Sequence, residues 1–296
     1  MLDRSRALLL ALVCATACGG SPDTPDEPAP PVATPAAGTN QVASADGVPI
    51  SYSVEGTGPT ALVFIHDWAA DRGYWEHQVD VFAPDYTVVT LDLAGHGRSG
   101  ATRERWSWDA YADDVAAVVN ALDLDRVVLV GHSMGGLVAL LAAPKLPGRV
   151  IGVVPVQAVL NAEFMLPPEA WKNQIDTFSV EYGAKCATLA ATRFVAGSDP
   201  ELVQRVTADI CAKEPDLLLR QLRIFPELNQ PEALAGVDVP IRSINSDKSV
   251  TKEDVNKKYA KDIETRYVYG VGHYVMLENP TSFNEKLAEI LVEVQF

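Results

Sequence analysis

The chain is predicted to be an α/β protein: an eight-stranded, mostly parallel sheet with helices on both faces and a helical insertion before the last two strands. Three features predict it. From Asn40 onward, short apolar runs alternate with segments of helical periodicity, the pattern of a parallel sheet linked by helices. The run Val127-Val128-Leu129-Val130 enters Gly131-His132-Ser133-Met134-Gly135, and a helix of small residues follows from Gly136 to Ala143. Finally, residues 161–231 lie between two strands yet contain no strand pattern, and such a stretch is too long to be a loop.

Each element has its own warrant. Gln41 to Ala45 and Pro49 to Glu55 read as a hairpin joined through Asp46-Gly47. Ala61 to Ile65 and Tyr86 to Leu91 are apolar strands, with a helix from about Tyr74 to Phe82 between them. Trp108 to Leu122 places Tyr111, Val115, Val118, Val119 and Leu122 on one helical face. Strands follow at Val127–Val130, Val150–Val156, Pro240–Ile244 and Thr265–Tyr269, and a helix from Pro280 to Val294 closes the chain. Within the insertion, helical patterns run from Ala170 to Tyr182, Ala184 to Val195, Pro200 to Ala212 and Pro215 to Phe225.

The 296 residues divide into a leader, a tether, a core formed by residues 40–160 and 232–296, and a lid formed by residues 161–231. Leu8 to Val13 is a short apolar run behind Arg4 and Arg6, and residues 1–17 read as a secretory signal peptide. The run is too short for a transmembrane helix. Ala15-Thr16-Ala17 before Cys18 resembles a bacterial lipobox, which would make Cys18 a lipidated first residue. Ala15 stands where such boxes usually carry Leu, so ordinary cleavage and free secretion is the alternative. Residues 18–39, rich in Pro, Ala, Thr and acid, cannot bury enough to order themselves and read as a tether. Localisation is therefore expected in the periplasm or cell envelope. Any membrane attachment is expected only through an N-terminal lipid.

The formal net charge of −15 argues against nucleic acid and anionic lipid headgroups as ligands. Of four cysteines, Cys14 leaves with the leader and Cys18 would be acylated. Cys186 and Cys211 remain in a chain bound for an oxidising compartment, and a disulfide between them is expected.

The five residues Gly131 to Gly135 read as a nucleophile elbow. Turning from strand to helix so abruptly strains the backbone at Ser133, and side-chain-free neighbours leave room for it. The elbow also aims the Met134 amide at the point where an oxyanion would form, at a helix start whose dipole favours negative charge. A serine hydroxyl needs a base. Of His66, His77, His96, His132 and His273, only His273 follows Ser133, the order this elbow requires. Asp247, just past Pro240–Ile244, is at the sheet edge from which a third member could orient His273. The second oxyanion amide is expected from Trp68, after Ala61–Ile65. Trp68, His132, Phe164 and Trp171 are candidate pocket walls, and Met165, Phe178 and Phe194 are further large apolar side chains of the lid. No cluster of His and carboxylate at metal spacing occurs, so neither metal nor cofactor is expected.

Phe64-Ile65-His66-Asp67-Trp68 with Trp75, Leu91 to Ser99, Gly131 to Gly135, and Gly270-Val271-Gly272-His273 together resemble the α/β-hydrolase superfamily. Within it they resemble the lidded group of esterases, lactonases, cofactor-free perhydrolases and carbon–carbon bond hydrolases. The resemblance covers Val42 to Phe296 and implies a Ser133–His273–Asp247 triad acting on a small, uncharged carboxylic ester or lactone. Three positions depart from the family. Asp67 stands where Gly is usual, and its carboxylate would repel an oxyanion. The acid motif, commonly Gly-Asp-x-Asp, has Ser249 in its last place. The alternative acid position, at the end of the strand before the lid, holds Gln157. Asp92 and His96 read as structural.

Two other functions fit the resemblance. One is carbon–carbon bond hydrolysis of a diketone, which a charged lid residue (Lys172, Lys185 or Arg193) would favour. The other is a ligand-binding receptor on a hydrolase scaffold. Oligomeric state is not legible.

Overall fold

The computed structural model describes residues 40–180 and 182–294. The leader, Cys18 and the tether lie outside the described residues. Along the chain run β1 (Asn40–Ala43), β2 (Pro49–Glu55), β3 (Ala61–Ile65), α1 (Glu76–Phe82), β4 (Thr87–Leu91), α2 (Trp108–Ala121), β5 (Val127–His132), α3 (Met134–Ala142) and β6 (Val150–Val156). Then come α4 (Pro168–Val180), α5 (Tyr182–Thr192), α6 (Pro200–Cys211), α7 (Pro215–Leu222) and α8 (Gln230–Ala235). The chain closes with β7 (Ile241–Ser246), α9 (Glu253–Asn256), β8 (Ile263–Val268), α10 (Val275–Glu278) and α11 (Pro280–Val294).

All eight strands form one sheet in the order β1-β2-β4-β3-β5-β6-β7-β8. β1 and β2 pair antiparallel, as does β2 with β4, and every other pairing is parallel. β3 and the Val127–Val130 part of β5 are buried at every position, because parallel strands covered on both faces have no solvent side. α2, α3 and α8 pack together over one face; α1, α10 and α11 cover the other. On α2 Tyr111, Val115, Val118 and Val119 of the predicted stripe are buried, Leu122 is the half-buried residue just past the helix, and Ser107 caps the helix by accepting from Ala110 N.

Boundaries moved where burial outweighed local pattern. β8 starts at Ile263, which pairs with Ile241, and ends before Tyr269, which is 72% exposed. α9 and α10 are four residues each, too short for periodicity to announce them. Between β6 and β7 the described residues hold five α-helices and no strand. α5 and α6 are joined there by a Cys186–Cys211 disulfide with Cα atoms 5.7 Å apart. No helix among the described residues is long and apolar enough to cross a membrane.

Candidate active site

Strands β3 to β8 all place candidate site residues at one edge of the sheet. Asp67 and Trp68 follow β3, Asp92 follows β4, Ser133 follows β5, Gln157 follows β6, Asp247 follows β7 and His273 follows β8. Carboxyl ends of adjacent parallel strands face one crevice, so residues far apart in sequence converge there.

Ser133 is strained as the elbow demands, with φ 51° and ψ −113°. The flanking glycines are required by close backbone approach. A Cβ on Gly131 would lie 2.1 Å from Gly135 O, and one on Gly135 would lie 2.4 Å from the carbonyl oxygens of Ile65 and His66. The elbow is thus wedged against the end of β3, which brings the β3 loop beside the start of α3.

That wedge brings together the two amides expected to form the oxyanion hole. Trp68 N and Met134 N both donate to one oxygen, Asp67 Oδ1, at 2.7 and 3.2 Å. The other carboxylate oxygen, Oδ2, accepts from Arg193 Nη1 at 2.7 Å and lies 3.4 Å from His273 Nε2. Asp67 is 1% exposed. Burial pushes its pKa up, but the Arg193 guanidinium and the bond to His273 outweigh that and hold it well below the usual carboxylate range.

The loop carrying Asp67 is pinned from both sides. His66 Nδ1 donates to Asp67 O at 2.7 Å, while His66 Nε2 accepts from Leu93 N at 3.0 Å, which fixes one neutral tautomer. Asp92 holds the neighbouring turn by accepting from Arg72 N and Arg98 N, and His96 is buried beside His66. Both act in the scaffold.

His273 sits on the loop after β8. Its backbone N donates to Arg193 O at 2.7 Å, and its carbonyl accepts from His132 Nε2 at 2.9 Å. Burial, then the Arg193 charge, lower its pKa below the ordinary value of 6.5, so the ring is neutral and basic at neutral pH. His132 is fully buried, its ring centroid 4.7 Å from that of His273, and its pKa is pushed down to about 3. It supports His273 from within the core; expected as a pocket wall, it has no exposed surface to offer.

Asp247 is not joined to His273. Its Oδ1 accepts from Gly270 N at 2.7 Å and its Oδ2 from Lys248 Nζ at 2.7 Å. This corrects the predicted contact: both carboxylate oxygens are taken up by Gly270 N and Lys248 Nζ, so the carboxylate holds the His273 loop at Gly270 instead. The two other acid positions are joined to each other. Gln157, at φ 51°, donates from Nε2 to Ser249 Oγ at 3.0 Å and to Gly272 O at 3.2 Å. Its Oε1 accepts from Ser246 N. A neutral amide thus braces the His273 loop where a carboxylate would otherwise stand. Among the described residues no hydrogen bond joins Ser133 Oγ to His273.

Two further pocket candidates lie elsewhere. Phe164 is 62% exposed and lines an outer cleft with Ala158, Asn161 and Val250. Trp171 packs on Phe225 inside the helical insertion. Apolar character does not say which side of an insertion a residue faces. Trp68 is buried as expected for a wall, its Nε1 donating to Leu218 O and its ring edge-on to Phe178 at 6.3 Å. Phe194 packs on Tyr274 at 5.1 Å.

The residue that the sequence left unplaced is Arg193. It follows α5, 126 positions from Asp67, and no local pattern marks it as part of the site. The fold also brings together one set of potential metal ligands absent from any sequence spacing: Asp67, His132 and His273 offer ligand atoms within 4.8 Å of one another. Arg193 and two amides already engage that carboxylate, so a cation there would face a guanidinium.

Residues 62–286 match the Alpha/beta hydrolase family. The chain belongs to that family. Among solved structures it is similar to a thermophilic esterase from Thermogutta terrifontis, at a TM-score of 0.76 and 22% identity over 87% of this chain and 99% of that one. It is also similar to an N-acyl homoserine lactone degrading enzyme, at 0.74 and 28% over 84% and 99%. Among curated relatives it is 37% identical over 124 residues to the dihydrolipoyllysine-residue acetyltransferase component of an acetoin cleaving system from Cupriavidus necator, over 42% of this chain and 33% of that protein. The match thus spans about a third of that relative's length.

Proposed function

We propose that this chain is a serine hydrolase that cleaves a small, uncharged carboxylic ester or lactone through an acyl-enzyme. The observation that carries the reading is the convergence of Trp68 N and Met134 N on one anionic oxygen beside the strained Ser133. In this reading His273 takes the Ser133 proton as Oγ attacks the acyl carbon, and the two amides hold the resulting oxyanion. His273 then returns the proton to the leaving alkoxide. A water, deprotonated by the same ring, releases the acid. Asp247 and Gln157 position the His273 loop through Gly270 and Gly272. The esterase and lactone-degrading neighbours favour the same substrate class.

The test is hydrolysis of short and medium p-nitrophenyl esters and labelling by a fluorophosphonate, with Ser133→Ala as comparison. Turnover and labelling that both vanish with Ser133→Ala support the proposal. A chain that neither turns over esters nor labels at Ser133, with Asp67 intact or replaced by Ala, would overturn it and favour a ligand-binding role.

Arg193 gives one argument for carbon–carbon bond hydrolysis of a diketone, since it brings a cation from the insertion into the site. Its pairing with Asp67 leaves little net charge there, and this favours the uncharged ester. Turnover of a vinylogous 1,5-diketone acid exceeding that of every ester would reverse the order.

We also propose export, with lipidation at Cys18; the leader, the Cys186–Cys211 disulfide and the acidic tether support it. The mass of the N-terminal peptide from cells discriminates an acylated Cys18 from a freely secreted chain.

A further inference from the structure

Three donors and one imidazole nitrogen surround a single side-chain carboxylate in the candidate site. Trp68 N and Met134 N bind Asp67 Oδ1; Arg193 Nη1 binds Oδ2, with His273 Nε2 at 3.4 Å. The two amides are those that would hold the oxyanion, and His273 Nε2 faces this carboxylate while no hydrogen bond joins the ring to Ser133 among the described residues. The Asp67 carboxylate therefore stands where the reacting acyl group of a substrate would place its oxygens. Two anionic oxygens cannot share that pair of amides, and the loss of even one oxyanion donor costs roughly 10²–10³ in kcat.

Release needs only the side chain. The Asp67 backbone carbonyl is held by His66 Nδ1 at 2.7 Å and by Ala70 N at 3.2 Å, which fixes the Trp68 amide. The Ser133 carbonyl accepts from Gly136 N at 3.0 Å and Leu137 N at 3.3 Å, which fixes the Met134 amide, so both keep their direction when the carboxylate turns away. Arg193 is the counter-ion to its second oxygen, at 2.7 Å. This residue lies at the end of α5, which the Cys186–Cys211 disulfide ties to α6, and its carbonyl accepts from His273 N.

Resting on the serine-hydrolase reading, we propose that Asp67 is a built-in occupant of the oxyanion hole. The arrangement described here is then a latent, closed state, and the donors that hold Asp67 form a binding site for a small monocarboxylate once that side chain is removed. Asp67 thus competes with substrate and with acid product alike. A carboxylate held in the chain and already oriented on its donors pays no association entropy, so free carboxylates in the millimolar range do not displace it from the parent chain. The position is a gate on reactivity rather than a participant in bond making.

The experiment compares the full chain with Asp67→Ala and with Asp67→Asn, the latter keeping side-chain size should Ala fail to fold. The first readout is the second-order rate of fluorophosphonate labelling at Ser133, whose phosphoryl oxygen needs the hole. Asp67→Ala is expected to label at least about tenfold faster than the parent, with Asp67→Asn between them. The second readout is independent of Ser133 chemistry: sodium acetate, against matched sodium chloride, should raise the melting temperature of Asp67→Ala and leave that of the parent unchanged. Folded Asp67→Ala that labels no faster than a reactive parent, with no acetate effect, would overturn the inference and leave the hydrolase reading standing. Acetate binding by Asp67→Ala with no labelling of any variant would support the occupied carboxylate site and sink the hydrolase reading.

Discussion

Arg193→Met tests how far the Asp67–Arg193 pair supports the fold as well as the site. The substitution keeps an unbranched apolar stem and removes the guanidinium 2.7 Å from Asp67 Oδ2, where side-chain exposure is 22% for Arg193 and 2% for Asp67. The carboxylate keeps the Trp68 and Met134 amides but loses its cation, and leaving a buried charge without its partner costs about 3–5 kcal/mol. For a chain of this size about 1 kcal/mol corresponds to roughly 2–4 °C, so the melting temperature should fall by on the order of 10 °C. The penalty should also depend on pH. In the parent, Asp67 is held well below its ordinary 3.8, so its contribution is present above that value and is lost as pH falls through the lowered one. In Arg193→Met, burial is no longer opposed by the guanidinium, and the carboxyl protonates at higher pH. The gap between parent and variant should therefore be widest near pH 8 and narrow toward pH 4. In an Asp67→Asn background the same change should cost no more than about 1 kcal/mol, because no buried anion is left unpaired. Urea denaturation of the four chains at several pH values measures all of this. A loss below about 1 kcal/mol at pH 8, or one independent of pH and of Asp67, would refute the reasoning.

Other expectations follow from particular residues. Asp247→Asn should lower kcat/KM for a p-nitrophenyl ester by less than about tenfold, since the amide still accepts from Gly270 N; a fall beyond about 10³ would give Asp247 the triad role. Burial holds His96 and His132 neutral, with pKa values near 3 against 6.5 when unfolded. The unfolded chain takes up those protons first, so each should cost about 1.4 kcal/mol of stability per pH unit below 6.5. Denaturation midpoints that stay flat from pH 6.5 to 5 would contradict it. Cys186→Ala with Cys211→Ala removes a crosslink spanning a sequence separation of 25 and should cost about 3 kcal/mol, with amide exchange rising first in α5 and α6. Exchange that rises uniformly instead would show that the crosslink does not act locally.

Much of the scaffold was legible in the sequence because its causes are local. A β-branched run such as Val127–Val130 buries itself whatever surrounds it, and Gly131 and Gly135 admit a turn that no other residue could enter. The chain order of Ser133 and His273 followed from counting histidines. The Trp68 and Met134 amides, expected to act together, do meet on one oxygen, since strand ends and helix starts place backbone donors without regard to side-chain choice. The Asp67 departure was visible too, but only as a charge in an awkward place.

What sequence alone determined, then, were the strands, the elbow and the edge of the sheet where the chemistry gathers, all set by periodicity and backbone sterics over a few residues. Tertiary structure alone decided which side chains meet there. The turn after β7 carries Asp247 toward Gly270, the end of α5 brings Arg193 to Asp67, and His132 lies under His273 instead of facing the cleft. Those meetings depend on loop direction and long-range packing, where a small rotation exchanges one partner for another and leaves no periodic trace along the chain.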